Sequence, residues 1–302
     1  MNKMIYPPLL NKLDKAIIIS PSGSTDSQYI DNACRVLQDW GLMVEVASHA
    51  RGEYGRYGGT IEERLSDLQE AMDDKDIDLI FCSRGGYGVV QLLDKLNFEG
   101  IKKHPKWIVG YSDITALHLA LLQEGVASLH APMARHLSED SNDIASGFLK
   151  ESLFFGMPKY EISSHLLNRE GLVEGILFGG NLAVLTGLTG TYYVDVPENG
   201  ILFIEDIGEA PYKIDRMIWQ LKLSGILSRI SGLVVGQFTD CPEDMGMCST
   251  IYESIRGMVD EYNYPVVFDF PVGHVKNNYP LLHGGMVELR VKEDKVIMKR
   301  SK

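Results

Sequence analysis

Along the first 130 residues, short apolar runs alternate with longer stretches of helical periodicity. "KAIIIS" (15–20), "LMVEV" (42–46), "IDLIFCS" (77–83) and "KWIVGYS" (106–112) are short, β-rich and bounded by turn residues, so each reads as a strand. Between them, apolar positions recur at helical spacing from about Gln28 to Trp40, ending at Gly41. They recur again in "TIEERLSDLQEAMDD", in "VVQLLDKL" and in "DITALHLALL". Thr60 is an N-cap candidate with Glu63 three residues on, the spacing of a capping box. Strands alternating with helices predict an α/β domain with a doubly wound, mostly parallel sheet. In such a sheet ligands lie beyond the carboxyl ends of the strands. Two segments fall there: "SRGGYG" (83–88) and "GYSD" (110–113).

After about Ser138 the pattern loosens. The stretch 139–168, with its charges, Gly147, Gly156 and Pro158, reads as a linker or crossover. The remainder, 169–302, mixes strands and helices with less regular alternation and reads as a second, α+β domain. The division expected is therefore 1–138, 139–168 and 169–302, without internal repeats or low-complexity tracts.

A length of 302 residues suits one large or two medium domains, and 45% hydrophobic residues is ordinary globular composition. The formal net charge of −12 argues against generic nucleic-acid binding, which needs clustered Lys and Arg. No apolar run is long enough to suggest a membrane span. The N-terminus, broken by Pro7, Pro8, Lys12, Asp14 and Lys15, does not resemble a signal peptide, so a cytoplasmic protein is expected. Cys34, Cys82, Cys241 and Cys248 form no C-x-x-C pair and read as free thiols.

Candidate chemistry begins at Ser112. A serine at a sharp strand-to-helix turn has its Oγ pushed out of the sheet beside helix N–H groups that can hold an oxyanion. Gly110 suits the turn, but the G-x-S-x-G pattern fails at Ile114, and Ser112 or Asp113 could equally cap the helix. The glycine pair of "SRGGYG" could turn backbone N–H groups toward a ligand or form only a flexible turn. Glu205, Asp206 and Glu209 follow a strand-like run, each a solvated strand end or a polar partner aimed at a site. His274 follows a Pro-x-Gly turn, with His283 its nearest rival among eight histidines; His118, mid-helix, reads as a packing residue. No H-E-x-x-H and no paired Cys/His spacing supports a metal. A nucleophile, an acid and a base are thus present in the order Ser, Glu, His, an order that cannot by itself establish a triad.

Five segments in sequence, "SRGGYG", "VGYSDITAL", "GILFGGNLAVL", "LFIEDIGEAPYKIDRM" and "FPVGHVKNNYPLLHG", resemble the LD-carboxypeptidase family, serine peptidase family S66. The resemblance runs from about Lys15 to Arg290. It implies an N-terminal α/β domain and a smaller, β-rich α+β C-terminal domain with the active site in the cleft between them, and a Ser-Glu-His triad matching Ser112, Glu205 and His274. It implies an oxyanion hole of backbone N–H groups at Asp113 and at Gly85 or Gly86, no metal or other cofactor, and a homodimer. The implied reaction is release of D-alanine from a murein tetrapeptide, a small peptide substrate. The self-immunity peptidases of the family imply an alternative, hydrolysis of a peptidyl- or aminoacyl-nucleotide as in microcin C. Those would need an aromatic platform for a nucleobase, and Trp40, Trp107 and Trp219 fall at element ends or in a helix. Because the murein substrate is anionic, Arg84, Arg216 and Lys276 are the cations expected to face it. Asn181 reads as a helix cap.

Overall fold

The computed structural model describes residues 4–301. In chain order the elements are β1 (Lys15–Ile19), α1 (Ser27–Asp39), β2 (Met43–Val46), α2 (Ile61–Asp73), β3 (Leu79–Cys82), α3 (Glu99–Lys103), β4 (Trp107–Gly110), α4 (Thr115–Gln123), β5 (Ser128–His130), α5 (Ala134–Glu139) and α6 (Ile144–Phe154). There follow β6 (Tyr160–Ser163), β7 (Gly171–Asn181), α7 (Leu182–Gly187), β8 (Ile201–Ile207), α8 (Pro211–Leu223), α9 (Ile226–Arg229), β9 (Gly232–Thr239), α10 (Ile251–Met258), β10 (Val266–Val267), β11 (Leu281–His283), β12 (Met286–Val291) and β13 (Lys295–Arg300). The chain divides into two compact units. One holds residues 4–157 together with Tyr279–His283, the other Pro158–Asn278 and residues 284–301.

The first unit is built on a sheet of order β11-β5-β4-β3-β1-β2, in which β1 to β5 run parallel and β11 is antiparallel to β5. The unbroken apolar runs of β3 and β4 are buried along their whole length, as a parallel sheet covered on both faces requires. Thr60 caps α2 in a complete capping box with Glu63. The order turns back between β1 and β3, so the loops after these strands flank a topological switch point, the usual ligand position in doubly wound sheets.

Two local expectations change. "VVQLLDKL" folds as two short 3-10 turns, Val89–Gln91 and Leu93–Lys95, because Leu96 leaves in extended conformation after too few residues to propagate an α-helix. The stretch 139–168 carries α6 and β6. Asp143 caps α6 by accepting from Ser146 N (2.8 Å), and Ala145, Leu149, Ser152 and Leu153 form its buried stripe. Gly147, Lys150 and Glu151, which loosened the pattern, lie on its exposed face.

The second unit is a seven-stranded mixed sheet, β10-β9-β8-β7-β12-β13-β6. Strand β7 explains the irregular alternation of its sequence. Residues Gly171–Ile176 pair antiparallel with β12, and here exposed Leu172 and Glu174 alternate with more buried neighbours. Residues Leu177–Asn181 pair parallel with β8 and are buried throughout. One strand thus changes from a one-sided antiparallel pattern to a two-sided parallel one.

Candidate active site

The Ser112 turn follows from its surroundings. Strand β4 ends at Gly110, Tyr111 is extended, and Ser112 takes φ +64° before a 3-10 turn leads into α4. Left-handed backbone at a non-glycine residue costs about 1–3 kcal/mol and survives only where neighbours enforce it. Gly85 is one of those neighbours. A Cβ on Gly85 would stand 2.7 Å from Ser112 Cβ and 3.0 Å from its Oγ, so only glycine lets this backbone pass beside the hydroxyl. Gly85 also accepts from Gly23 N (2.9 Å), which ties the β3 turn to the β1 turn. The adjacent Gly86 takes φ +113°.

Neither helical segment here carries a side-chain cap, which removes Asp113 from the capping role. Its buried carboxylate instead accepts from Ser22 Oγ (2.6 Å) and Val89 N (2.9 Å), clamping the loops after β1 and β3 to the turn. His118, read from the sequence as packing, is a tie across the same turn. Its Nε2 donates to Gly110 O (2.8 Å), an acceptor only, so the proton sits on Nε2 and Nδ1 accepts from Ser128 Oγ (2.8 Å). Burial pushes its pKa down to about 4, with the Gly110 hydrogen bond opposing, so the ring is neutral near pH 7. It stacks on His283 at 5.5 Å, which places that histidine in the sheet core beneath the turn. The available signal was one polar residue inside the otherwise apolar helix "TALHLALL".

In the other unit, Glu205 sits at the end of β8, fully buried, where the β8–β9 register shifts between Ile204 and Asp206. Such irregularities re-aim side chains at strand ends. Glu205 Oε2 accepts from His274 Nδ1 at 2.8 Å. With the Nδ1 proton directed to the carboxylate, Nε2 carries the basic lone pair. A Cβ on Gly273, which takes φ +127°, would stand 3.0 Å from the Glu205 side chain, so glycine leaves room for the carboxylate, and its N–H donates to Asn278 Oδ1 (3.0 Å). Burial alone would lower the His274 pKa. The Glu205 hydrogen bond and charge, with Asp206 beyond, outweigh it and leave the imidazole above its ordinary value.

Asp206 faces the α7 side and accepts from Asn181 Nδ2 (2.8 Å), Ala183 N (2.9 Å) and Ile207 N (2.8 Å). Burial, aided by the charge of Glu205, raises its pKa to about 6 against those hydrogen bonds. Asn181 is the N-cap of α7, accepting from Val184 N (3.2 Å). Glu209 pairs with Lys213 at 3.4 Å on the entry to α8.

Three cations were expected to face a substrate. Arg84 is exposed and donates to Ser24 O (2.6 Å) within the cluster of turns around Ser112. Arg216 is exposed on α8, its guanidinium over the Tyr212 ring at 5.5 Å. Lys276 is exposed in the loop after His274.

Family models for the LD-carboxypeptidase N-terminal and C-terminal domains match residues 17–131 and 174–289. The chain belongs to the LD-carboxypeptidase family. It is accordingly a hydrolase, a serine-type carboxypeptidase. Among relatives of this LD-carboxypeptidase is the murein tetrapeptide carboxypeptidase of Pseudomonas aeruginosa, 31% identical over 278 residues, 87% of this chain and 89% of the relative. The crystal structure of muramoyltetrapeptide carboxypeptidase from Oxalobacter formigenes superposes with a TM-score of 0.85 at 30% identity, covering 95% of this chain and 99% of the other. The microcin C7 self-immunity protein, solved with glutamyl sulfamoyl guanosine, superposes with a TM-score of 0.85 at 22% identity over 97% of this chain and 98% of its own, a likeness of fold.

Proposed function

We propose that this LD-carboxypeptidase releases the terminal D-alanine from murein tetrapeptides, with Ser112 as nucleophile, His274 as general base and Glu205 as its orienting partner. The observation that carries the chemistry is the 2.8 Å bond from His274 Nδ1 to a carboxylate with no solvent exposure. A buried carboxylate so placed fixes the tautomer of the imidazole and stabilises the imidazolium formed during reaction. The substrate assignment draws support from the relatives, which are named for murein tetrapeptide and muramoyltetrapeptide.

In this reading Ser112 Oγ attacks the carbonyl that joins the third residue to D-alanine, and its proton passes to His274 Nε2. The N–H groups of Asp113 and of Gly85 or Gly86 hold the oxyanion, a contribution of about 3–4 kcal/mol for each donor. The C–N bond then breaks as His274 returns the proton to the leaving amine, giving free D-alanine and an acyl-serine. Water attacks the ester with His274 again taking the proton, and Ser112 is restored as the shortened peptide leaves. The strained turn suits the role, since a hydroxyl locked in one orientation need not be ordered during the reaction. A cytoplasmic site of action fits the four free cysteines, which suit a reducing compartment. The family resemblance supports a homodimer.

The test is incubation of the protein, with EDTA present, with L-Ala-γ-D-Glu-meso-diaminopimelate-D-Ala. The expected result is release of free D-alanine, seen by mass spectrometry, by the wild type and not by Ser112→Ala. No release by folded wild type overturns the assigned activity, and equal release by Ser112→Ala overturns the assigned nucleophile.

A further inference from the structure

A carboxypeptidase must recognise a free carboxylate one residue beyond the bond it cuts. This chain carries a formal net charge of −12, so local cations favour the binding of an anion against the overall field. Two turns lie against the Ser112 turn within its own unit, Pro21–Ser24 after β1 and Ser83–Gly88 after β3, and a third, Tyr54–Tyr57 after β2, is joined to the first. They are bonded to one another. Gly23 N donates to Gly85 O (2.9 Å), Ser24 N to Arg56 O (3.2 Å) and Gly58 N to Ser22 O (2.9 Å). Gly23 and Tyr57 also pair as an isolated bridge.

Beneath these turns lies Arg64, 2% exposed. Its Nε donates to Gly59 O (3.1 Å), its Nη1 to Pro21 O and Gly88 O (both 3.0 Å), and its Nη2 to Gln91 Oε1 (2.7 Å). Its guanidinium also lies 5.0 Å from the Tyr57 ring centre. Arg64 is thus consumed in holding all three turns, and the surface they form is rigid before any ligand arrives.

That surface displays two further guanidiniums, Arg84 and Arg56, both exposed, and neither is in an ion pair among the described residues. Arg84 adjoins Gly85, the residue against the Ser112 hydroxyl, and its guanidinium donates to a backbone carbonyl, Ser24 O. The nearby acids do not neutralise the pair. Asp31 is engaged by Arg51 at 2.7 Å, Asp113 is buried in its own hydrogen bonds, and Glu53 stands exposed on the hairpin. Tyr54 and Tyr87, 63% and 46% exposed, lie on the same two turns as Arg56 and Arg84, with Tyr87 set 6.1 Å from Tyr57.

We infer that Arg84, assisted by Arg56, binds the terminal carboxylate of the peptide substrate on this tyrosine-bearing rim. A guanidinium fork matches a carboxylate with two parallel hydrogen bonds, and Arg84 stands one residue from the glycine that touches the nucleophile. The carboxylate is present in ground state and transition state alike, so the contact acts on binding rather than on the chemical step. The inference rests on the carboxypeptidase reading.

The test is steady-state kinetics of wild type, Arg84→Gln, Arg84→Lys and Arg56→Gln on the tetrapeptide, with circular dichroism to confirm folding. The expected result is a KM raised about tenfold or more in Arg84→Gln with kcat within about twofold, partial recovery in Arg84→Lys, and a smaller rise in Arg56→Gln. Calorimetric titration of Ser112→Ala with the tetrapeptide and with its C-terminal amide supplies a second readout that needs no turnover. Ser112→Ala should prefer the free acid, and adding Arg84→Gln should abolish the preference. An unchanged KM in Arg84→Gln, or an acid preference that survives Arg84→Gln, overturns the inference. Failure of the wild type to release D-alanine speaks instead against the proposed activity, and the titration still decides whether the rim selects a free carboxylate.

Discussion

The Ser112 turn and the Glu205–His274 pair are held in place by different physics. Around Ser112 the restraints are close contacts and short hydrogen bonds: a glycine backbone against the side chain, the buried Asp113 carboxylate accepting from Ser22 Oγ and Val89 N, and the uncharged His118 tied to Gly110. Around His274 they are ionic: a buried carboxylate accepts from the ring, and a second carboxylate, Asp206, lies behind it. A position enforced by close contact does not tolerate an added methyl group. A position enforced by charge tolerates small changes in shape but not the loss of a charge. The two histidines show the contrast in opposite signs. His118 is pushed down to about 4, so its contribution to stability is complete above the ordinary imidazole value and lost as pH falls through about 4. His274 is raised, so its contribution is complete below the ordinary value and lost as pH rises through the raised one.

The largest expected effect breaks the ionic half. Glu205→Gln should lower kcat by about 10³–10⁴-fold, because an amide no longer enforces the Nδ1-protonated tautomer or stabilises the imidazolium. In the wild type the acid limb of kcat/KM should lie above the ordinary imidazole pKa, since His274 must be neutral to accept the serine proton. In Glu205→Gln, burial is opposed only by Asp206, and the limb should move to lower pH. A pH–rate profile of each protein checks both points, and a variant within tenfold of wild type would remove Glu205 from the mechanism.

A smaller effect is expected from the steric half. Gly85→Ala would set a Cβ 2.7 Å from that of Ser112, and the turn must shift to admit it. The expected fall in kcat is about 10²-fold, with an unchanged circular dichroism spectrum and an unmoved acid limb. Wild-type turnover in Gly85→Ala would mean that this contact does not set the geometry of the nucleophile.

The smallest effect sharpens the comparison between the histidines. His118→Gln keeps a donor for Gly110 O but no longer titrates. Thermal melts should show that acidification from about pH 6.5 to about 4 destabilises His118→Gln less than the wild type. Equal slopes would show that the His118 ring does not govern this acid transition.

Much of the architecture was legible in local pattern. Capping by Thr60, the buried runs of β3 and β4 and the loops at their carboxyl ends follow from side chains within a few residues of one another. The stretch 139–168 was obscured because Gly147 and the charges of α6 broke the pattern on a face that turned out to be exposed. Strand β7 was obscured because its two halves have different neighbours, and the neighbours of a strand lie far away in sequence.

The candidate site divides in the same way. The residue types and their order, Ser112 after a strand, Glu205 at a strand end and His274 after a glycine turn, were present in the sequence, and the family likeness gave them roles. Tertiary structure alone decided that Gly85 presses on Ser112, that His118 grips Gly110, that Asp113 clamps two loops instead of capping a helix, and that Glu205 meets His274, 69 positions further along the chain. The reason is range. Periodicity and capping are interactions between near neighbours on the chain, whereas the strain at Ser112 and the raised pKa of His274 arise from groups brought close only when the sheets form.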